Sequence, residues 1–276
     1  MFDFIAELTD KERAQLASNR KYWGERAADV QSKLTKKNIA QTEEQLRKYY
    51  RHTMLNTIGQ FEQTYNKLLS TISDGKEPTP ADLYKLDTYW KMQGQLKHEL
   101  QKLGDEQSAL FSEQFMKQWQ NIYDAMAYKD GLFFNEIDTQ AAQAMINEIW
   151  CADGMNWSAR IWHNTDILQQ RLNDTLVECV VTGRKPAYLK KILMQEFGAS
   201  FNNADMLVRT EMAHIQTQAA KQRYKDAGVK QVQIWADKDE RQCKVCGKLH
   251  QQIFDVNENV PVPAHPRCRC CIVPVV

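Results

Sequence analysis

The sequence predicts a mostly α protein: a long-helix N-terminal segment over residues 1–130, then a small α+β domain over 131–276 that closes in an antiparallel hairpin. Three observations carry this prediction. Gly and Pro together supply only 18 of 276 residues while Gln alone supplies 26, a balance that suits helices and not sandwiches or barrels. Apolar residues recur at three-and-four spacing through most of the chain, and the period changes to two only beyond Gly228. Five of seven cysteines fall between Cys243 and Cys271, which marks the C-terminal end as a different kind of structure.

The elements follow in order. Thr9-Asp-Lys-Glu12 is a capping box that opens a first helix. From Leu46, apolar residues at Tyr50, Met54, Ile58, Phe61, Tyr65, Leu68 and Ile72 form one helical face. Ser73-Asp-Gly-Lys-Glu-Pro-Thr-Pro80 stops it, since proline cannot continue a helix, and Thr79-Pro80-Ala81-Asp82 starts another. Leu83, Leu86, Trp90, Gln93, Leu96, Leu100 and Leu103 follow at near-heptad spacing, and a third run carries Leu110, Phe115, Trp119, Ile122 and Met126. Three long helices with short joints predict an antiparallel bundle or hairpin, whose leucines and Trp90 offer more apolar surface than one hairpin buries. Trp157-Ser158 reads as an N-cap ahead of the stripe Ile161, Leu168, Leu172, Leu176, Val180, which ends at Gly183. Pro186 opens a shorter helix closing near Gly198, and Asn202 caps another that stops at Gly228. Val232, Ile234 and Ala236 then alternate with polar positions as in a half-buried strand; residues 252–256 and 269–273 are further strands.

Composition excludes several classes. With 43% apolar and 26% charged residues the chain is an ordinary globular protein. It has no apolar run long enough for a membrane span, and its opening lacks the basic-then-apolar pattern of a signal peptide, so a soluble protein made in the cytosol is expected. A net charge of +1 argues against coating nucleic acid along the whole length. The charge is uneven, however: residues 183–276 hold 15 Lys/Arg against 9 Asp/Glu.

In a reducing compartment clustered cysteines point to metal before disulfides. Cys243-Lys-Val-Cys246 is a two-residue-spaced knuckle, and His265-Pro-Arg-Cys268 repeats the separation. Thiolates so spaced converge on one tetrahedral ion. If residues 267–273 are extended, Cys270 shares a face with Cys268 while Cys271 points away. Five candidates, Cys243, Cys246, His265, Cys268 and Cys270, therefore compete for four positions around one zinc. A filled four-ligand set implies a structural ion; a catalytic zinc would keep three ligands and a water. The His-x-Glu and Pro-Cys-x-x-Cys signature of zinc nucleobase deaminases is missing, as are a Gly-rich phosphate loop and a nucleophile elbow.

Trp157-Ser-Ala-Arg-Ile161, Arg209-Thr-Glu211, Trp235 with Asp239-x-Arg-x-Cys-x-x-Cys246, and His265-Pro-x-Cys-Arg-Cys270 occur in the order and spacing of a known family. Together they resemble the phage head morphogenesis or minor head protein family, often called Mu F-like, over roughly residues 150–271. The opening Tyr22-Trp-Gly-Glu-Arg26 also resembles minor capsid proteins of tailed phages and prophages. Many relatives place a glycine near the position that His250-Gln251 occupies here. The resemblance implies a non-enzymatic virion component, made in the host bacterial cytoplasm and held in the capsid interior near the portal. It implies roles in head (procapsid) assembly and DNA ejection, and portal, capsid or scaffold proteins as partners; residues 1–130 would be the docking segment. Some relatives append toxin domains; with the sequence ending just past Cys271, none is expected here.

Other features have bland readings. Arg209, Glu211, His214 and Lys221 read as solvated or ion-paired helix positions and not as a catalytic set. His98 and His163 read as surface or core residues, and Cys151 and Cys179 as small buried hydrophobes. Lys221, Arg223, Lys225, Lys230, Arg267 and Arg269 are candidate contacts to DNA phosphates, without base readout. The rival readings are a zinc-stabilised DNA-processing enzyme, a nuclease or transferase, and a cytosolic DNA-binding regulator.

Overall fold

The computed structural model describes residues 10–72, 87–126, 138–236 and 242–275. These contain α1 (Asp10–Ile72), α2 (Asp87–Ala125), α3 (Thr139–Ile146), α4 (Trp157–Val181), α5 (Pro186–Asp226), β1 (Gln231–Trp235), α6 (Lys244–Leu249), β2 (Ile253–Asp255) and β3 (Cys271–Pro274). The mostly helical expectation holds. The Thr9 cap, the Ser73–Pro80 stop, the Thr79–Asp82 restart, Leu83, Leu86, the side chains of Leu68 and Ile72, and Asp239 and Arg241 lie outside the described residues. Among those described, no helix is long and apolar enough to cross a membrane.

Among the described residues, two helices run longer than the sequence suggests. The third run, from Leu110 onward, continues the second helix, and α2 is unbroken over 39 residues. Likewise α5 passes through Gly198 and Asn202 for 41 residues instead of splitting into two helices. A mid-helix glycine costs about 1 kcal/mol relative to alanine, and burial can outweigh that. Leu189, Leu193, Phe197, Ala204, Leu207 and Val208 supply the burial, keeping one stripe in phase across the glycine. The cap of α4 is Asn156, one residue ahead of the expected pair; its Oδ1 accepts from the Ala159 N–H at 2.9 Å. Asparagine is at least as good an acceptor there as serine.

Two compact units divide the chain, and each draws on both sides of the 130/131 boundary. Of the described residues, one unit takes those in 41–113 and 147–208, and the other takes those up to Ala40 and in 114–146 and 209–276. The first unit buries one stripe from each of four helical segments, including Leu46, Phe61, Leu96, Leu100, Leu172, Leu176, Leu193 and Phe197. Leu96, Leu100 and Leu103 are thus core and not a free partner face, while Trp90 is 59% exposed, with Tyr89 and Met92 turned inward in its place. Tyrosines finish the core with hydrogen bonds: Tyr65 Oη donates to Cys179 O at 3.0 Å, and Tyr89 Oη to Asn173 Oδ1 at 2.8 Å. Gly104 lets α4 approach closely, since a Cβ there would lie 2.6 Å from the Trp162 ring.

The second unit holds the sheet. β1 lies centrally, antiparallel to β2 and β3 in the order β2-β1-β3, with Val232 opposite Phe254 on one side and Trp235 opposite Cys271 on the other. The predicted hairpin is therefore a three-stranded sheet, because β1 pairs on both edges. Val232, Ile234 and Ala236 are buried, as the alternation predicts. Gly24 of the Tyr22–Arg26 motif sits against this sheet: a Cβ there would come 3.1 Å from Trp235 Cζ3 and 3.5 Å from Val273 Cγ2. Gln251 has φ +68°, in the left-handed region that favours glycine.

Candidate metal centre

The site is built by two turns. The first begins where α6 does. Cys243 is its N-cap, extended at φ −78°, ψ 159°, and its Sγ accepts the N–H of Cys246 at 3.3 Å. This is the capping geometry of serine or aspartate carried out by sulfur, and it turns both thiols of the knuckle to one side. The second turn is His265-Pro-Arg-Cys268, closed by the Cys268 N–H on His265 O at 3.1 Å.

The two turns meet. His265 Nε2 lies 3.3 Å from Cys243 Sγ and 3.1 Å from Cys246 Sγ, and Cys246 Sγ lies 3.8 Å from Cys268 Sγ. Two groups of ligand atoms each fall within 4.8 Å of one another: Cys243, Cys246 and His265, then Cys246, Cys268 and Cys270. Cys246 belongs to both. A tetrahedral ion with bonds of about 2.3 Å to sulfur requires sulfur–sulfur edges of about 3.8 Å, which the Cys246–Cys268 separation matches. His265 Nδ1 is 2.8 Å from Pro266 O, a contact that makes Nδ1 the protonated nitrogen and presents Nε2 to the cluster.

Electrostatics divide the thiols. A hydrogen bond from Cys270 draws the Cys268 thiol down to about 5, and the Cys246 N–H lowers that of Cys243. Burial pushes Cys246 up to about 12, and the bond to Cys268 raises Cys270 well above the ordinary thiol range. Burial opposes the charged form of His265, but the Pro266 carbonyl and the neighbouring thiolates outweigh it and raise its pKa. Protons shared in this way are what a dication displaces, so binding would release them.

The other candidates are spread out. Cys271 is apart from the cluster, in a small core with Ala28 and Val273, its Sγ 3.8 Å from Trp235 O. Cys179 is fully buried, as expected, whereas Cys151 is only half-buried; His98 and His163 are exposed. Glu211 and His214 are buried instead of solvated, and burial lowers the His214 pKa to about 4, which keeps the ring neutral. Of the candidate DNA contacts, Lys225, Lys230 and Arg267 are exposed and Arg269 is half-buried. Lys221 Nζ donates to Glu258 O at 2.7 Å. Arg223 is only 3% exposed and stacks over the Tyr123 ring at 5.3 Å, so a phosphate cannot reach it.

Sequence reasoning assigned no contact to two residues beside the site. His250 packs edge-on against Trp235 and its Nδ1 accepts the Ala236 N–H at 3.2 Å. Thr210 Oγ1 accepts the Arg267 N–H at 3.0 Å. Thr210 stood in the sequence only as the middle residue of Arg209-Thr-Glu211; no periodicity argument reaches a loop 57 residues away.

Residues 170–273 match the family described as Phage Mu protein F like protein. The matched span contains the Arg209-Thr-Glu211 motif, the sheet and all five candidate ligands, whereas Trp157–Ile161 and the N-terminal motif precede it. Over this span the chain is similar to a phage head-related family. No curated protein and no solved structure matches it.

Proposed function

We propose that this chain is a structural minor head protein of a tailed phage or prophage, resident in the capsid interior near the portal and acting in procapsid assembly. The observation that carries the reading is the coincidence of the Mu F-like match with the convergent cysteine–histidine cluster inside it. In this reading one zinc ion ties the module, held by Cys243, Cys246, His265 and Cys268; Cys268 is preferred to Cys270 because it sits 3.8 Å from the Cys246 sulfur and accepts from Cys270, which makes it the readier thiolate. Bound zinc supplies a cross-link between the two turns, and four protein ligands leave no place for the water that a catalytic zinc needs. Cys270 then acts as a neighbour donating to the Cys268 sulfur.

Docking on portal, capsid or scaffold protein falls to the helices of residues 1–130. Since Leu96, Leu100 and Leu103 are internal, the large exposed apolar groups among the described residues there are Tyr22, Leu55 and Trp90. The test is the protein content of purified particles. The chain is expected in mature heads in a few copies, and Trp90→Asp with Leu55→Asp is expected to reduce its incorporation without unfolding it. Heads that lack the wild-type chain would contradict the proposal.

Contact with packaged DNA, in the same reading, is through phosphates alone. With Arg223 buried, Lys225, Lys230, Arg267 and Arg269 remain, and each phosphate neutralised contributes about −0.9 to the slope of log affinity against log salt. A slope of about −3 to −4 is expected, equal for two unrelated duplexes. Marked preference for one duplex would favour a regulator, and cleavage of either would favour an enzyme.

A further inference from the structure

The ligand-bearing turn does not stand alone. Between β2 and β3 the chain runs from Val256 to Cys270 without helix or strand, and His265, Cys268 and Cys270 all lie on it. Helix α5 holds this connection at two points. Near its start, Lys221 Nζ donates to Glu258 O at 2.7 Å. Inside the His265–Cys268 turn, Thr210 Oγ1 accepts the Arg267 N–H at 3.0 Å. The two anchors are eleven residues apart on α5, about 16 Å along its axis.

Arg267 is the unusual residue of that turn. Its φ is +59°, a conformation that side-chain-bearing residues rarely adopt unless something holds them. The turn must take this shape for Cys268 to follow His265 back into the cluster, and the hydrogen bond to Thr210 fixes the peptide that enters Arg267. Partners one step outside a metal's ligands commonly orient those ligands.

We infer that Thr210 is a positioning residue for the metal centre, presetting His265 Nε2 and Cys268 Sγ by anchoring the backbone N–H of Arg267 to α5. The inference rests on the zinc reading above. It also gives the Arg209-Thr-Glu211 motif a physical role, in which the middle residue braces a loop far along the sequence.

Full-length wild type, Thr210→Val and Thr210→Ser are titrated with zinc against a chromophoric chelator, and with Co(II) to record the d–d absorption of the site. Valine keeps the shape and loses the acceptor; serine keeps the acceptor. Valine is expected to weaken zinc binding about tenfold and to alter the Co(II) bands at unchanged helix content, with serine within about threefold of wild type. Where valine fails to fold, Thr210→Ala gives the same comparison with serine. Wild-type affinity and an unaltered Co(II) spectrum in Thr210→Val, or an equal loss in Thr210→Ser, would overturn the brace alone. A wild-type chain that binds no zinc would overturn the zinc reading, and the brace with it.

Discussion

Exchanging Cys246 for serine is expected to remove zinc from the purified chain and to unfold residues 242–275, while the helical unit containing α4 stays folded. Cys246 is the one group common to both sets of converging ligands, its sulfur is within 3.8 Å of His265 Nε2 and of Cys268 Sγ, and it is only 5% exposed. Among the described residues, no other ligand belongs to both sets. Structural zinc contributes apparent binding energies of about 10–16 kcal/mol in small zinc modules, far more than a three-stranded sheet with strands of three to five residues supplies by itself. Cys271→Ser is the matched control. Its sulfur faces Trp235 O in the apolar core, so that variant should lose some stability and keep its zinc. Metal analysis with hydrogen exchange of the C-terminal amides separates the two. Full zinc content in Cys246→Ser would contradict the ligand assignment.

Gln118→Leu is expected to destabilise the unit that holds the sheet by about 2–4 kcal/mol in urea unfolding. Three helices meet there through side-chain amides. Asn38 Nδ2 donates to Gln118 Oε1 at 2.6 Å, Gln118 Nε2 donates to Thr35 Oγ1 at 2.6 Å, and Thr35 Oγ1 donates to Gln216 Oε1. All four side chains are buried, Gln118 completely. Leucine matches the volume but removes one acceptor and one donor from groups that water cannot reach, each costing about 1–3 kcal/mol. Gln120→Leu, on an exposed face of the same helix, should change stability by less than about 0.5 kcal/mol. A cost for Gln118→Leu no larger than that would show the ladder to be energetically idle.

This ladder also shows what a sequence conceals. Periodicity found the buried faces of α4 and β1 because apolar residues mark them. It could not find Gln31, Thr35 and Asn38, which sit on one face of α1 at four- and three-residue spacing and are buried with partners on other elements. Gln31 belongs to the same pattern, its Nε2 donating to Ile272 O at 2.8 Å. A polar residue carries no sign of burial until its partner is known. The same limit explains Arg223, which sequence alone offers as a surface cation and the fold stacks over Tyr123. Glycines misled in the opposite direction: Gly198 read as a terminator, yet the stripe from Leu189 to Val208 carries α5 through it.

The cysteine–histidine cluster was legible for a different reason. Knuckle spacing is a local geometric constraint, so Cys243 with Cys246 and His265 with Cys268 could be paired without knowing the fold. Their meeting across β1–β3, and the Thr210 contact behind them, depend on tertiary structure.

The central claim is that one structural zinc ties the two turns of the Mu F-like span. Metal analysis of the full-length wild-type chain, purified without added metal, tests it most directly. The account predicts close to one zinc per folded chain, released in step with loss of the C-terminal strands when a strong chelator is added. Soluble, folded protein containing no zinc, with C-terminal amides as protected as before chelation, would contradict it.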